Sequence, residues 1–230
     1  MLVRLSDGNF QFAGAREDGS DLRFIAADGK TVLAHQIERY DNLLNEAFVW
    51  VRLPEVKPVA KESFHVYFGN ADAAMPAPNK PAEAFDADTA LVYHFAERAS
   101  APVDATANGN NAAGSGATAG DSIIGSGLRL LGSAPISIPD SKSLKWKQGQ
   151  ALTLAVWIKP GALQENAVIC SRADGNAALR LLLDKGVPVI QLAEVRSQPG
   201  APLAAGTWSH LALVAEGKTC LLYTSDAADE

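Results

Sequence analysis

The run Leu152-Thr153-Leu154-Ala155-Val156-Trp157-Ile158-Lys159-Pro160, answered by Thr207-Trp208-Ser209-His210-Leu211-Ala212-Leu213-Val214, decides how this chain folds. In the first run Leu152, Leu154, Val156 and Ile158 fall on one side of an extended chain, and Thr153, Ala155 and Trp157 on the other. Such a two-residue period predicts an inner strand with one buried face. In the second run Leu211 and Leu213 oppose Trp208, His210, Ala212 and Val214, so both faces carry apolar groups and the strand is expected mid-sheet. Other short strands are expected at Gly127–Leu131, Pro135–Ile138, Asn166–Ser171, Leu179–Asp184 and Val187–Leu192. Turn residues separate them at Gly132, Gly149, Pro160-Gly161, Asp174-Gly175 and Lys185-Gly186. Many short strands with close-set turns indicate a sandwich or barrel.

The N-terminal third reads the same way. Leu22–Ala26 runs into the turn dipeptide Asp28-Gly29 and returns as Thr31–Ile37, a hairpin. Phe48–Leu53 and Phe64–Phe68 are further strands, rich in aromatic and β-branched residues. Three prolines between Met75 and Pro81 disfavour helix and inner strand alike. The expected division is therefore a β-rich domain over residues 1–73, a Pro/Ala-rich linker over 74–88 and a second β-domain over 89–219, opening with Leu91-Val92-Tyr93-His94-Phe95. No periodic helix is predicted, and Pro81–Phe85 has room for one turn. The fold class is all-β, as two tandem β-sandwich domains.

Residues 220–230 are expected not to belong to the natural chain. Read in one frame, the transposon-derived adapter used in short-read library preparation spells Cys220-Leu-Leu-Tyr-Thr-Ser-Asp-Ala-Ala-Asp-Glu230, and such scars are set aside before fold reasoning. The 26 acidic and 20 basic residues give a net charge of −6; without Asp226, Asp229 and Glu230 it becomes −3. No basic stripe is present, so a nucleic-acid partner is not expected. Setting the tail aside also leaves Cys170 alone, in an apolar run where a buried, inert thiol is the expected state. No signal peptide and no apolar stretch of membrane-spanning length (~20 residues) occurs, so no membrane contact by this segment is expected.

Candidate chemistry is sparse. Glycosidases need two carboxylates ~5–9.5 Å apart, which on one strand means acids two or four positions apart. No such run occurs: Glu194 stands alone and Asp184 lies at a turn. No nucleophile motif and no metal-ligand spacing among His35, His65, His94 and His210 is found, so no catalytic residue and no protein-metal site is assigned. Asp104, Asn108, Asn110 and Asn111 are candidate ligand-binding residues, because oxygen ligands at that spacing suit Ca²⁺. The same residues suit a loop whose side chains bond their own backbone, and no cofactor is assigned beyond that calcium candidate. Trp146, in the polar stretch Lys145-Trp-Lys-Gln148, is a candidate for stacking on a pyranose or for covering a sheet edge. His210 beside Trp208 is a candidate sugar platform or a packed core histidine. Arg4, Arg23 and Arg52 are expected on the outer side of a half-buried sheet, with Asp21 or Glu38 as cross-strand partners.

The second domain resembles the laminin-G-like, concanavalin A-like jelly roll. The resemblance is carried by Leu91–Phe95, Asp104-x-Thr-x-Asn108-x-Asn110-Asn111-Ala112, Gly127-Leu-Arg-Leu130, Ile136-x-Ile-Pro139, Leu152–Pro160 and Trp208-Ser-His210, in that order. It implies that the closing strands lie past residue 219, so the jelly roll is truncated. The first domain resembles an uncharacterised β-rich family through Gly19-Ser-Asp-Leu-Arg-Phe24, Val49-Trp-Val-Arg-Leu-Pro54 and Tyr67-Phe-Gly-Asn70. In one common architecture both domains precede the membrane spans of a proton-channel subunit of the MotA/TolQ/ExbB type. That implies a non-catalytic binding or scaffold segment in the periplasm or cell envelope, with a glycan or envelope polymer as partner and a membrane-anchored parent. A lectin-like surface adhesin and a glycan-cleaving enzyme are the alternatives.

Overall fold

The computed structural model describes residues 1–58, 63–70, 72, 81–97, 100–114, 117–119, 122–132, 135–146, 150–174, 177–192, 195–216 and 219–226. The chain is all-β, and its helical segments among these residues are three short 3-10 turns. No helix among them is long and apolar enough to cross a membrane. Two compact units form, Met1–Lys145 and Trp146–Glu230. The proline-rich run Met75–Lys80 lies outside the described residues, and Pro81–Ala84 makes one 3-10 turn.

The first unit contains β1 (Leu2–Ser6), β2 (Arg23–Ala26), β3 (Val32–Leu33), β4 (His35–Asp41), β5 (Glu46–Val51), β6 (Phe64–Tyr67), β7 (Ala117–Ala119) and β8 (Gly127–Arg129). Antiparallel pairing gives a sheet β1-β5-β4, a sheet β3-β2-β6 and a ribbon β7-β8. Alternation in β5 turns Ala47, Val49 and Val51 inward, where they join Phe24 and Leu33 from the neighbouring sheet, Leu22 just before it, and Phe10 and Phe12 from the segment after β1. His35 is buried with this core, its ring 4.8 Å from that of Phe24. Burial pushes its titration below the ordinary imidazole range.

The strand expected over Thr31–Ile37 is divided between sheets. Val32 and Leu33 pair with β2, whereas His35 onward pairs with β5. Periodicity continues through the junction at Ala34, so the sequence pattern does not mark the change of partner. A second irregularity follows at Glu38. Ile37 pairs with Val49 and Arg39 with Phe48, so Glu38 is the extra residue of a β-bulge. The bulge resets the alternation: Gln36 and Glu38 face outward, while Ile37 and Tyr40 pack on the core.

Asp21 explains two of the motifs that mark this unit. It is 2% exposed, and its carboxylate accepts from Arg16 N at 3.0 Å and from Gly69 N at 2.6 Å. It thus ties the start of the Ser20–Phe24 segment to the Gly69-Asn70 end of β6. Gly69 has φ +84, and a Cβ there would stand 2.9 Å from Gly14 O. Asp21→Ala would bury two unpaired N–H groups and is expected to cost about 2–3 kcal/mol. Urea unfolding of the variant beside wild type measures it; a change under about 0.5 kcal/mol would mean the staple is dispensable.

The arginines take other partners than Asp21 and Glu38. Arg4 pairs with Glu46 at 2.8 Å, Arg23 donates to Ser20 O and Leu22 O, and Arg52 donates to Glu83 O. Glu38 takes His94 and Trp50 as partners, and Asp21 takes backbone, because the bulge and the burial of Asp21 remove both acids from the arginines. Leu91–Phe95 forms no ladder. Its polar groups are met by Asp104, Asn110 and Gln36 side chains or backbone, and Phe95 turns to φ +54. Pro135–Ile138 contributes only a single bridge, Ser137 to Ala113.

The second unit contains β9 (Leu152–Ile158), β10 (Ala167–Asp174), β11 (Ala177–Asp184), β12 (Val187–Leu192), β13 (Val195–Arg196), β14 (Ser209–Glu216) and β15 (Thr219–Asp226). They form antiparallel sheets β10-β11-β12-β13 and β15-β14-β9. Leu154, Val156 and Ile158 meet Leu211 and Leu213 across the β9–β14 pair, and Leu181, Leu183 and Ile190 complete the core from the other sheet. The two sheets therefore pack face to face, as the alternation of Leu152–Ile158 requires. β14 is central, as expected. β15 pairs with it at eight positions, from Ser209↔Asp226 to Glu216↔Thr219, and places Leu222 against the core.

Candidate functional site

Four of the five sequence candidates come together in the first unit. Asp104 is 6% exposed and its carboxylate is filled by protein donors. Oδ1 accepts from Val92 N at 3.1 Å and Thr106 N at 3.0 Å; Oδ2 accepts from Thr106 Oγ1 and Asn110 N, both at 2.9 Å. Asn111 Oδ1 accepts from Asp104 N. Asn110, also buried, donates through Nδ2 to Ala90 O and Ser143 Oγ. Asn108 donates to Thr89 O, Ala90 O and Thr106 Oγ1. Tyr93 donates to Asn110 O at 2.5 Å, and burial pushes its phenol up to about 12.

This arrangement is a polar knot that fastens the 104–111 loop to the extended segment 89–93. A carboxylate offers about four lone-pair sites, and those of Asp104 are engaged by four donors. Calcium recruits just such oxygens, and here they face N–H and O–H groups. Among the described residues no group of three or more His, Cys, Asp or Glu is placed to hold a metal ion.

Trp146 belongs to the second unit, apart from the knot. It is half-buried; Nε1 donates to Gln150 O at 3.2 Å, and the Arg172 guanidinium lies over the ring at 5.8 Å. One ring face is thus engaged by a cation–π contact. Lys147 and Gln148 beside it lie outside the described residues.

The outward face of β9, β14 and β15 is a site that sequence reading only touched. Trp157 and His210 are directly paired across the strands, ring centroids 5.1 Å apart. The next outward row is Ala155 opposite Ala212, followed by Thr153 opposite Val214. On β15, Ser225, Tyr223 and Leu221 continue the three rows. Two alanines beside an aromatic pair leave a shallow floor next to a raised wall, and Ala155, Thr153 and Tyr223 are exposed. The sequence pairing of His210 with Trp208 missed this: β14 begins at Ser209, and the aromatic neighbour of His210 is supplied by β9 through register.

Other groups are committed to structure. Cys170 packs beside the second core, and burial raises its thiol above the ordinary range. Asp184 accepts from Arg196 at 3.1 Å. Glu194 lies outside the described residues. Along the outward face of β9–β14–β15, Glu216 at the far end is the one carboxylate that strand alternation places there among the described residues.

An all-β chain of two units, the second a two-sheet sandwich with an outward aromatic pair, is the class this geometry defines. Residues 18–107 match the family described as a domain of unknown function, DUF2341. Residues 131–224 match the concanavalin A-like lectin/glucanases superfamily. The chain thus carries a DUF2341 segment followed by a concanavalin A-like jelly-roll segment. Searches of curated proteins and of solved structures gave no match.

Proposed function

We propose that this chain is a non-catalytic binding or scaffold segment that takes a glycan on the outward face of β9 and β14. The observation that carries the reading is the Trp157–His210 pair beside the Ala155–Ala212 floor, in a segment similar to a superfamily of lectins and glucanases. A pyranose ring presents an apolar C–H face that stacks on indole, and a floor of small side chains admits it. Tyr223 and Leu221 fall in the stretch read as adapter-derived, so the proposal rests on β9 and β14. A glycosidase needs a second carboxylate ~5–9.5 Å from the first; Glu216 alone on the described face favours binding over cleavage.

Titration of the full chain with a panel of glycans and envelope polymers tests the reading. Binding is expected, and Trp157→Ala is expected to weaken it about tenfold, the worth of one well-stacked ring. No binding by wild type, or equal binding by the variant, would remove the site.

Two further parts of the reading concern the parent protein. The domain order resembles that of envelope proteins of the MotA/TolQ/ExbB type, and that likeness supports a periplasmic location for these modules. Extending the reading frame on an unbroken contig decides it: several long apolar spans support a channel parent, and a lone anchor or sorting tail supports an adhesin. The same extension tests residues 220–230, since an independent read that carries Cys220-Leu-Leu-Tyr in frame would make that strand native.

A further inference from the structure

In the first unit, the outer side of β4 and β5 carries a buried polar group that the glycan reading does not use. Glu38 shares the outward side of β4 with Gln36, and their strand neighbour is Trp50. Segment 85–94 lies over them. Glu38 and His94 side chains are 4% and 12% exposed, with His94 Nδ1 3.1 Å from Glu38 Oε2. The same oxygen accepts from Trp50 Nε1 at 2.6 Å. On the other side of the ring, Nε2 lies 3.0 Å from Gln36 Oε1. The imidazole stacks on Trp50 at 6.0 Å and 25°, and Phe85 closes against both rings. Gly125, at φ +55, brings backbone so near that a Cβ there would stand 2.8 Å from Glu38 Oε1.

Both ring nitrogens therefore face oxygen. A neutral imidazole has one N–H and satisfies one of these contacts; the imidazolium has two and satisfies both. The titratable group facing the ring from β4 is Glu38. β5 presents Trp50 and the 81–85 turn presents Phe85, neither of which titrates by gaining positive charge.

We propose that Glu38 and His94 form a proton-operated latch: the protonated ring fastens segment 85–94 onto β4 and β5, and loss of the proton loosens it. Deprotonation leaves one N–H to serve two facing oxygens, so fastening weakens as pH rises. His35 contributes the opposite sign. Its folded-state titration is lowered by burial, so it destabilises the core as pH falls.

Hydrogen exchange of the full chain, corrected for intrinsic rates, tests the latch at about pH 5.5 and about pH 8, either side of the ordinary histidine range. Protection of amides in 85–94 is expected to fall about tenfold between the two in wild type, and to lose that dependence in His94→Gln. Imidazole nitrogen shifts of wild-type His94 give a second readout that does not depend on the variant folding, with both nitrogens protonated at the lower pH. The latch is overturned by protection that ignores pH in wild type, by the same pH dependence in His94→Gln, or by an unprotonated Nε2 accepting from the Gln36 amide at both pH values.

Discussion

Asp104→Ala is expected to lower the stability of the first unit by about 4 kcal/mol, a large share of what holds a domain of this size together. Three backbone N–H groups, of Val92, Thr106 and Asn110, and the Thr106 hydroxyl all end on its two oxygens within 3.1 Å. Each unpaired buried donor costs about 1–3 kcal/mol, and water entering the space left by the side chain relieves part of the sum. Asp104→Asn keeps the shape but turns one acceptor into an NH₂ that confronts N–H donors, so about half the loss is expected to remain. Urea unfolding measures both. The same experiment separates the knot from a cation site. A ligand that binds only the folded state raises its melting temperature by mass action. Millimolar calcium is expected to leave the melting temperature of wild type where it is. A rise of several degrees, or an Asp104→Ala variant as stable as wild type, would return Asp104, Asn108, Asn110 and Asn111 to the role of ligands.

Ending the chain at Thr219 is expected to abolish cooperative folding of the second unit. β15 pairs with β14 along its whole length and brings Leu222 to the core. Without it, β14 becomes an edge strand whose Leu211 and Leu213, 0% and 1% exposed, lie one strand from open water. The loss combines a partly buried leucine, toward the lower end of about 2–5 kcal/mol, with the hydrogen bonds of one side of an eight-residue ladder. That approaches the total stability of a small domain. A bare, flat edge also invites pairing with another molecule. Residues 1–219 should therefore elute as aggregates in size-exclusion chromatography with light scattering and show no sharp calorimetric transition. A monomer with a cooperative melt would show that β15 is an accessory strand.

Much of this molecule was legible along the chain because strands write their burial in a two-residue period. Leu152–Ile158 and Leu211–Val214 turned out with the predicted faces, and the turn dipeptide Asp28-Gly29 closes the β2–β3 hairpin, with Gly29 at φ +69. The segment set aside as adapter-derived alternates apolar and polar residues closely enough to complete a sheet, which periodicity alone rewards whatever its origin. Periodicity was silent where it continues across an event. The change of sheet at Ala34 and the bulge at Glu38 leave the local pattern nearly intact, yet they decide which sheet each residue joins and that Tyr40 packs on the core.

The sequence by itself determined the all-β class and the faces of the long strands, since these depend on spacings of a few residues within one segment. Only the tertiary structure decided what the polar and aromatic side chains do. Asp104 became the centre of a knot because Val92, Thr106 and Asn110 converge on it. His210 met Trp157 through strand register, and Asp21 met Gly69 across 48 residues. Whether an oxygen or an aromatic ring is open to a ligand depends on partners that arrive from distant segments, and no local spacing records them.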